Sequence, residues 1–345
     1  DSVSGGKCLV RWSLVCSSLE LGGLGIHDLY RQSKALKVRW LWQNASCPDK
    51  PWHGLPLPID KETKNLFCAS TSWEIGSGTG ISFWHDHWLD GISPSLAYPK
   101  LFKHSKRRNI TLSQGINNRF WVTLIKPNPC VEVIAEYLDF WHRADQVVLS
   151  QADDKIIWKW TSNKIYTASS AYHCEFIGRI YTPLSQLIWK IKIPQKVKFF
   201  VWLAIQGKCL TADNLAKRNW PHNPVCPLCC IGLESAIHLF GTCPFTAAVW
   251  GFFLTKFRYR FDPRPSYDTN SLIQWWIHIL GNIPLHRQKE FSSLCMIIWW
   301  QVWKERNNII FNGKDTDFMG TCNLITDELH TWFRAGVKGV QWLAQ

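Results

Sequence analysis

What this 345-residue sequence is short of removes several classes of protein at the outset. Long apolar runs are missing. The longest near the C-terminus, Leu294 to Trp303, is broken by Gln301 and followed by Lys304-Glu305-Arg306, too short to span a bilayer. No secretory leader precedes the thirteen cysteines, an odd number at irregular spacing, so a disulfide framework is not expected. A reducing intracellular compartment is. Acidic residues are few, 26 against 39 Lys and Arg, leaving a formal charge of +13. Convincing Ser/His/Asp sets and paired carboxylates are missing too, which makes hydrolase chemistry the weakest reading. Internal repeats and low-complexity stretches are absent. The chain begins at Asp1 rather than Met and reads as a piece of something longer.

What is present is unevenly spread. Tryptophan is abundant at 22 residues, and so many indoles must mostly pack inside. From Pro183 to Arg260 ten basic residues face only Asp213 and Glu234, a local net charge of +8. From Phe261 onward basic and acidic residues cancel. The excess charge thus surrounds Val225–Phe245, which reads Cys226-x2-Cys229-x8-His238-x4-Cys243. A two-cysteine knuckle followed by a histidine and a cysteine is ligand spacing for tetrahedral Zn²⁺, with Glu234–Gly241 expected to form about two helical turns. Three thiolates and an imidazole fill all four positions, so the site is structural, one ion per chain. Cys230 leaves open which neighbouring thiolate binds; the usual two-residue gap favours Cys229. Positive charge around such a module implies a polyanionic partner.

The rest of the chain indicates a mainly α (α+β) protein with short β-hairpins and a zinc-stabilised helical module at its centre. Residues 1–125 hold the turn Leu21-Gly22-Gly23-Leu24-Gly25-Ile26, which lacks the Lys-Ser/Thr of a phosphate loop. A helix is expected from Asp28 to Trp42, with Leu29, Leu36, Trp40 and Leu41 inward. Trp73 to Trp84 carries a hairpin signal around Gly-rich residues. His85-Asp86-His87 follows; neighbours on a strand end diverge, so packing is expected rather than metal binding. Residues 126–182 hold a helix from Val131 to Phe140, then a second hairpin-like unit around Thr161-Ser162-Asn163 in which Asp153 and Asp154 serve turn and capping roles. A helix beginning near Ser169 turns Ala171 and Tyr172 inward. Residues 183–260 form the zinc-binding domain: an extended lead-in at Leu187–Pro194, an apolar helix Lys196–Gln206, Thr211 capping Ala212–Asn219, and a helix begun by Pro244 with Val249, Trp250, Phe253 and Leu254 inward. A polar linker at Phe261–Ser271 leads into a helical region, 261–345, with helices at Leu272–Leu280, Arg287–Phe311 and Asp317–Phe333.

The block Ile188-Trp189-Lys190, Pro194-x-Lys196-Val197-Lys198-Phe199-Phe200-x-Trp202-Leu203-Ala204, Leu210-Thr211-x-Asp213-Asn214-Leu215, Cys226-x2-Cys229, Glu234-x3-His238-Leu239-Phe240-x2-Cys243 and Trp250 strongly resembles the reverse-transcriptase zinc-binding domain of plant non-LTR (LINE-type) retrotransposon polymerases. Gly22–Ile26 with Trp40-Leu41-Trp42, Phe83-Trp84-x-Asp86-x-Trp88, Trp158 with Ser170-Ala171-Tyr172, and Trp303-Lys304-x-Arg306-Asn307 with Phe311 resemble its flanks. Ser235 stands where that family commonly has Thr. The resemblance implies that this piece follows the polymerase core, whose Tyr-x-Asp-Asp carboxylates are absent here, and precedes any ribonuclease H domain. It is expected to be non-enzymatic by itself, to bind Zn²⁺ through Cys226, Cys229, His238 and Cys243, and to hold RNA and/or DNA for retrotransposition. Lys190, Lys192, Lys196, Lys198, Lys217 and Arg218 would contact phosphates, and Trp220 would stack on unpaired bases. The upstream polymerase domain is the expected protein partner and the nucleus the expected site. The alternative is a zinc-folded scaffold that docks proteins without touching nucleic acid.

Overall fold

The computed structural model describes residues 9–47, 49–52, 55–56, 58–264, 271–337 and 340. They sort into two units, His27–Arg179 and Asp1–Ile26 with Ile180–Gln345. These units do not follow the four segments expected from the sequence. The zinc-binding stretch and the helical C-terminal region share one core and are not separate bodies. The expected linker at 261–271 lies largely outside the described residues.

In the unit His27–Arg179 the elements are α1 (Leu29–Ser46), α2 (Lys61–Ser70), β1 (Thr71–Glu74), α3 (Val131–Ala144), β2 (Lys155–Trp158) and α4 (Ala168–Cys174), with shorter turns between them. Asp28 starts α1 as a capping residue, accepting from the amides of Tyr30 and Arg31. The buried face of α1 differs from the expected stripe. Leu29, Leu36 and Trp40 are exposed, while Lys34, Ala35 and Val38 are buried. On that face Lys34 Nζ reaches Glu62 at 2.6 Å and Glu175 at 3.1 Å, so its charge is paired where its stem is buried. Ala35 and Val38 then meet Trp158, Tyr166 and Tyr172.

Among the described residues the sheet is a single antiparallel pair whose strands come from the two hairpin-like regions, paired with each other rather than each within itself. Thr71 stands opposite Trp158 and Trp73 opposite Ile156. The Gly-rich stretch is occupied elsewhere. Asp154 Oδ1 accepts from the amides of Gly76 (2.8 Å) and Gly78 (2.9 Å), and Oδ2 from Gly80 (3.0 Å). Three amides around one carboxylate form a small anion cradle filled from within the chain. Gly78, at φ +70°, supplies the left-handed step the wrap requires. Below it an aromatic cluster gathers on Phe140, with Trp121, Tyr98 and Trp84 rings 4.9, 5.1 and 5.6 Å away.

In the other unit the elements are α5 (Gln195–Ile205), α6 (Ala212–Ala216), α7 (Pro244–Lys256), α8 (Leu272–Leu280), α9 (Gln288–Asn312) and α10 (Phe318–Arg334). Pro244 occupies the first turn of α7, and Asp317 caps α10 through the amide of Gly320. The lead-in before α5 is not extended. Ser185–Trp189 forms a π-type turn closed by the Lys190 amide on the Ser185 carbonyl, which puts Leu187, Ile188 and Ile191 inward. Trp202 anchors α5 by donating its indole N–H to the Gly22 carbonyl at 2.8 Å. The Gly22-Gly23 turn is therefore a packing junction. Trp250 of α7 stacks on Phe291 of α9, and Trp275 and Trp276 of α8 both meet Trp299.

The Asp154 cradle predicts that Asp154→Ala destabilises the chain by about 2–3 kcal/mol, the scale of hydrogen bonds to a charged acceptor. Urea unfolding followed by far-UV circular dichroism reads the change; a shift below about 0.5 kcal/mol would contradict the role.

Candidate metal centre

The metal-ligand pattern folds around a short backbone ladder. Val225 pairs with Leu233, the Cys226 amide donates to the Gly232 carbonyl at 2.8 Å, and the Glu234 amide donates to the Pro224 carbonyl at 2.9 Å. Between these arms the Cys230 amide returns to the Cys226 carbonyl, with Cys230 itself at φ +55°. This is the knuckle. It aims the thiols of Cys226 and Cys229 to one side. Gly232 is required there because a Cβ would lie 2.6 Å from His238 Cε1.

The second half of the pattern is helical from 236 to 242, as expected, but it opens with an ordinary α-type bond from the Leu239 amide to the Ser235 carbonyl and then widens. His238–Thr242 is π-type, and the Cys243 amide reaches the His238 carbonyl at 2.7 Å. The x4 spacing thus returns Cys243 beside His238, at the residue from which α7 departs. Ser235 Oγ accepts from the His238 amide at 3.2 Å, a contact that a threonine hydroxyl can make equally.

The ligand atoms of Cys226, Cys229, His238 and Cys243 all lie within 4.8 Å of one another. Cys226 Sγ is 4.0 Å from Cys243 Sγ, and Cys229 Sγ is 3.4 Å from His238 Nε2. A tetrahedral Zn²⁺ with bonds of about 2.3 Å to sulfur and about 2.0 Å to nitrogen has edges of about 3.5–3.8 Å. The donor set and its spacing fit that ion. Nδ1 of His238 faces Thr242 Oγ1 at 3.4 Å, leaving Nε2 for the cluster. The thiols are electrostatically coupled. Their hydrogen bond holds Cys243 below its ordinary pKa and, with burial, pushes Cys226 up to about 12. Hydrogen bonding to Cys226 raises His238 against the opposing effect of burial. A divalent cation would take over from these shared protons. Cys230 is exposed, its thiol 3.8 Å from the Pro227 carbonyl, and stands outside the cluster. Among the described residues this is the one group of three or more ligand-type side chains placed to hold a metal. His85, Asp86 and His87 do not form another; Asp86 caps the Ser82 amide, and burial raises its pKa.

A buried ion pair holds this loop to α9. Arg306 Nη2 and Nε reach Glu234 Oε1 at 2.8 and 3.1 Å, with both side chains almost fully buried. Glu234 Oε1 also accepts from the Ala212 amide at 3.3 Å, and Arg306 Nη2 donates to the Leu210 carbonyl at 3.2 Å. Glu234 therefore does the capping expected of Thr211, whose hydroxyl instead meets Asp213 Oδ1. The pairing of Glu234 with Arg306 was not anticipated from the sequence, although both lie in motifs that stand out there.

The cationic candidates divide. Lys190, Lys192, Lys196 and Lys217 are exposed, and Arg218 is half-buried with its guanidinium 5.5 Å from the Trp220 ring. Lys198 is buried. Its Nζ donates to the Trp189 carbonyl at 3.1 Å and desolvation lowers its pKa, so it is withdrawn from any phosphate contact.

Comparison with known proteins adds a family to this geometry. Residues 166–250 match the family described as zinc-binding in reverse transcriptase. The match takes in the knuckle, His238 and Cys243, and bears out the resemblance of the central block. A protein of Arabidopsis thaliana named "putative ribonuclease H protein" is 24% identical over 348 residues, covering 89% of this chain and 53% of the relative. The chain spans about half the length of that relative. No solved structure matches. Among the described residues no helix is long and apolar enough to cross a membrane.

Removing one partner of the Glu234–Arg306 pair strands a buried charge. Arg306→Leu is expected to cost about 3–5 kcal/mol in chemical unfolding, and the double change Glu234→Leu/Arg306→Leu to recover much of it. Additive losses in that double-mutant cycle would show that the two side chains are not coupled.

Proposed function

We propose that this chain is the zinc-binding, nucleic-acid-holding segment of a LINE-type, non-LTR reverse transcriptase of plant type, non-catalytic by itself. The observation that carries the reading is a closed Cys3His set within a segment of strong positive charge, inside a stretch matched to zinc-binding in reverse transcriptase. Cys226, Cys229, His238 and Cys243 hold one Zn²⁺. Four protein ligands leave no position for substrate or activated water, so the ion folds the loop and performs no chemistry. The polymerase and any ribonuclease activity reside in other parts of the parent protein, whose polymerase domain is the protein partner and whose place of action is the nucleus. Lys190, Lys192, Lys196, Lys217 and Arg218 supply contacts to the phosphates of RNA or DNA.

Two measurements test this. Metal analysis of the folded chain should give about one zinc per molecule, with release below about pH 5–6 as ligands take up protons. Cys229→Ser should lose the metal, and Cys230→Ser should keep it; the reverse result would reassign the ligand. For the partner, five cationic contacts give a log–log slope of binding against salt of about −3.5 on single strands to −4.5 on duplex DNA. Absence of binding at low salt would leave a zinc-folded scaffold as the function.

A further inference from the structure

The loop between α6 and the metal knuckle carries side chains that neither the zinc site nor the core uses. Trp220 is 41% exposed, at the end of a turn closed by its amide on the Leu215 carbonyl at 3.1 Å. Arg218 lies over its ring. Beyond it, Val225 and Leu233 pair across the ladder with both side chains exposed, and Ile231 is 81% exposed between them in sequence. Soluble surfaces scatter single apolar residues, but here Val225 and Leu233 are bridged, Ile231 is two residues before Leu233 and Trp220 five before Val225, so four large exposed apolar side chains fall within fourteen positions.

The charge around the patch selects the occupant. From Asn214 to Leu233 there is no Asp or Glu, while Arg218 lies within it. The flanking acids are both neutralised: Asp213 pairs with Lys217, and Glu234 is buried against Arg306. A partner here must therefore present apolar faces and negative charge together. Duplex nucleic acid presents the charge but hides its base faces in the stack. An unpaired strand presents both, and aromatic stacking beside Arg is how such strands are gripped.

Resting on the nucleic-acid reading above, we propose that the Arg218–Trp220 pair is a stacking site for an unpaired base, with Val225, Ile231 and Leu233 as its apolar shoulder, so that this segment prefers single-stranded over duplex nucleic acid. Trp220 takes the base face, and Arg218 holds the indole plane and meets the adjoining phosphate. The exposed lysines act on either form of nucleic acid and set no preference.

The test uses the zinc-loaded chain with a labelled mixed-sequence single strand of about twenty nucleotides and the same sequence as duplex, spanning the site sizes of known single-strand binders. Wild type should bind the single strand more tightly. Trp220→Ala should weaken single-strand binding by about five- to 150-fold and duplex binding by less than about twofold. Trp220→Phe, which keeps a stacking face, should restore most of the loss. Unchanged zinc content keeps misfolding out of the comparison; a Trp220→Ala chain that loses zinc passes the test to Arg218→Gln, which must then lower the single-strand preference. Equal losses on both probes, or none on either, would overturn the proposal while leaving general binding intact. Absence of binding to both probes by wild type would instead remove the underlying reading, and this one with it.

Discussion

Burying a carboxylate and a guanidinium together is expensive, and the unit containing the metal loop is arranged around that cost. Glu234 and Arg306 are 72 positions apart, yet their side chains meet where almost no solvent reaches. Removing two charges from water costs several kcal/mol each and is repaid only when the remaining hydrogen-bonding positions are filled. Here Ala212, Leu210 and Asn307 supply further hydrogen bonds to the pair. The arrangement demands that the metal loop, the start of α6 and the last third of α9 all be in place at once. Its contribution is less to net stability than to register: a sliding of α9 by one residue would leave Glu234 buried without a partner.

This coupling explains why the metal loop does not stand alone as a domain. The cysteines and His238 are held by contacts within some twenty residues, but Phe240 of the same loop enters a ring cluster with Phe200 of α5 and Trp299 of α9, at 5.9 and 5.6 Å. A module bounded at residue 260 would lose half of that packing. The four-segment division read from composition therefore fails where polar and proline-bearing sequence looks like a boundary but the apolar residues on either side of it share one interior.

What was legible in the sequence is what short-range physics decides. The helix starts at Asp28 and Asp317, the start of α7 at Pro244 and the ligand spacing each depend on a few neighbours. What was not legible depends on distant partners. The stripe Leu29, Leu36, Trp40 is as good a core face as the one used, and the face used is the one whose Ala35 and Val38 meet Trp158, Tyr166 and Tyr172 while Lys34 finds Glu62 and Glu175. Both hairpin signals were real strand signals, but Asp154 took the amides around which the first would have turned. Lys198 reads as one more phosphate contact until the Trp189 carbonyl is seen to hold it. Counting charge in a sequence overstates the surface wherever a carbonyl has claimed a lysine.

A closed metal site and a buried ion pair do their work by removing freedom. Binding by flexible side chains forfeits part of its energy to ordering, and a scaffold that orders them beforehand returns that part as affinity. The five-residue helix α6 is too short to persist alone. It persists because Glu234 takes an amide of its first turn and Asn214 ties its first turn to the Gly207 and Cys209 carbonyls. Trp220, hydrogen-bonded back to Leu215, inherits that rigidity. A metal held there would therefore bear on the recognition proposed for Trp220 without touching a ligand. Loss of the ion would free the loop that carries Glu234, then the start of α6, and with it the exposed aromatic that α6 presents.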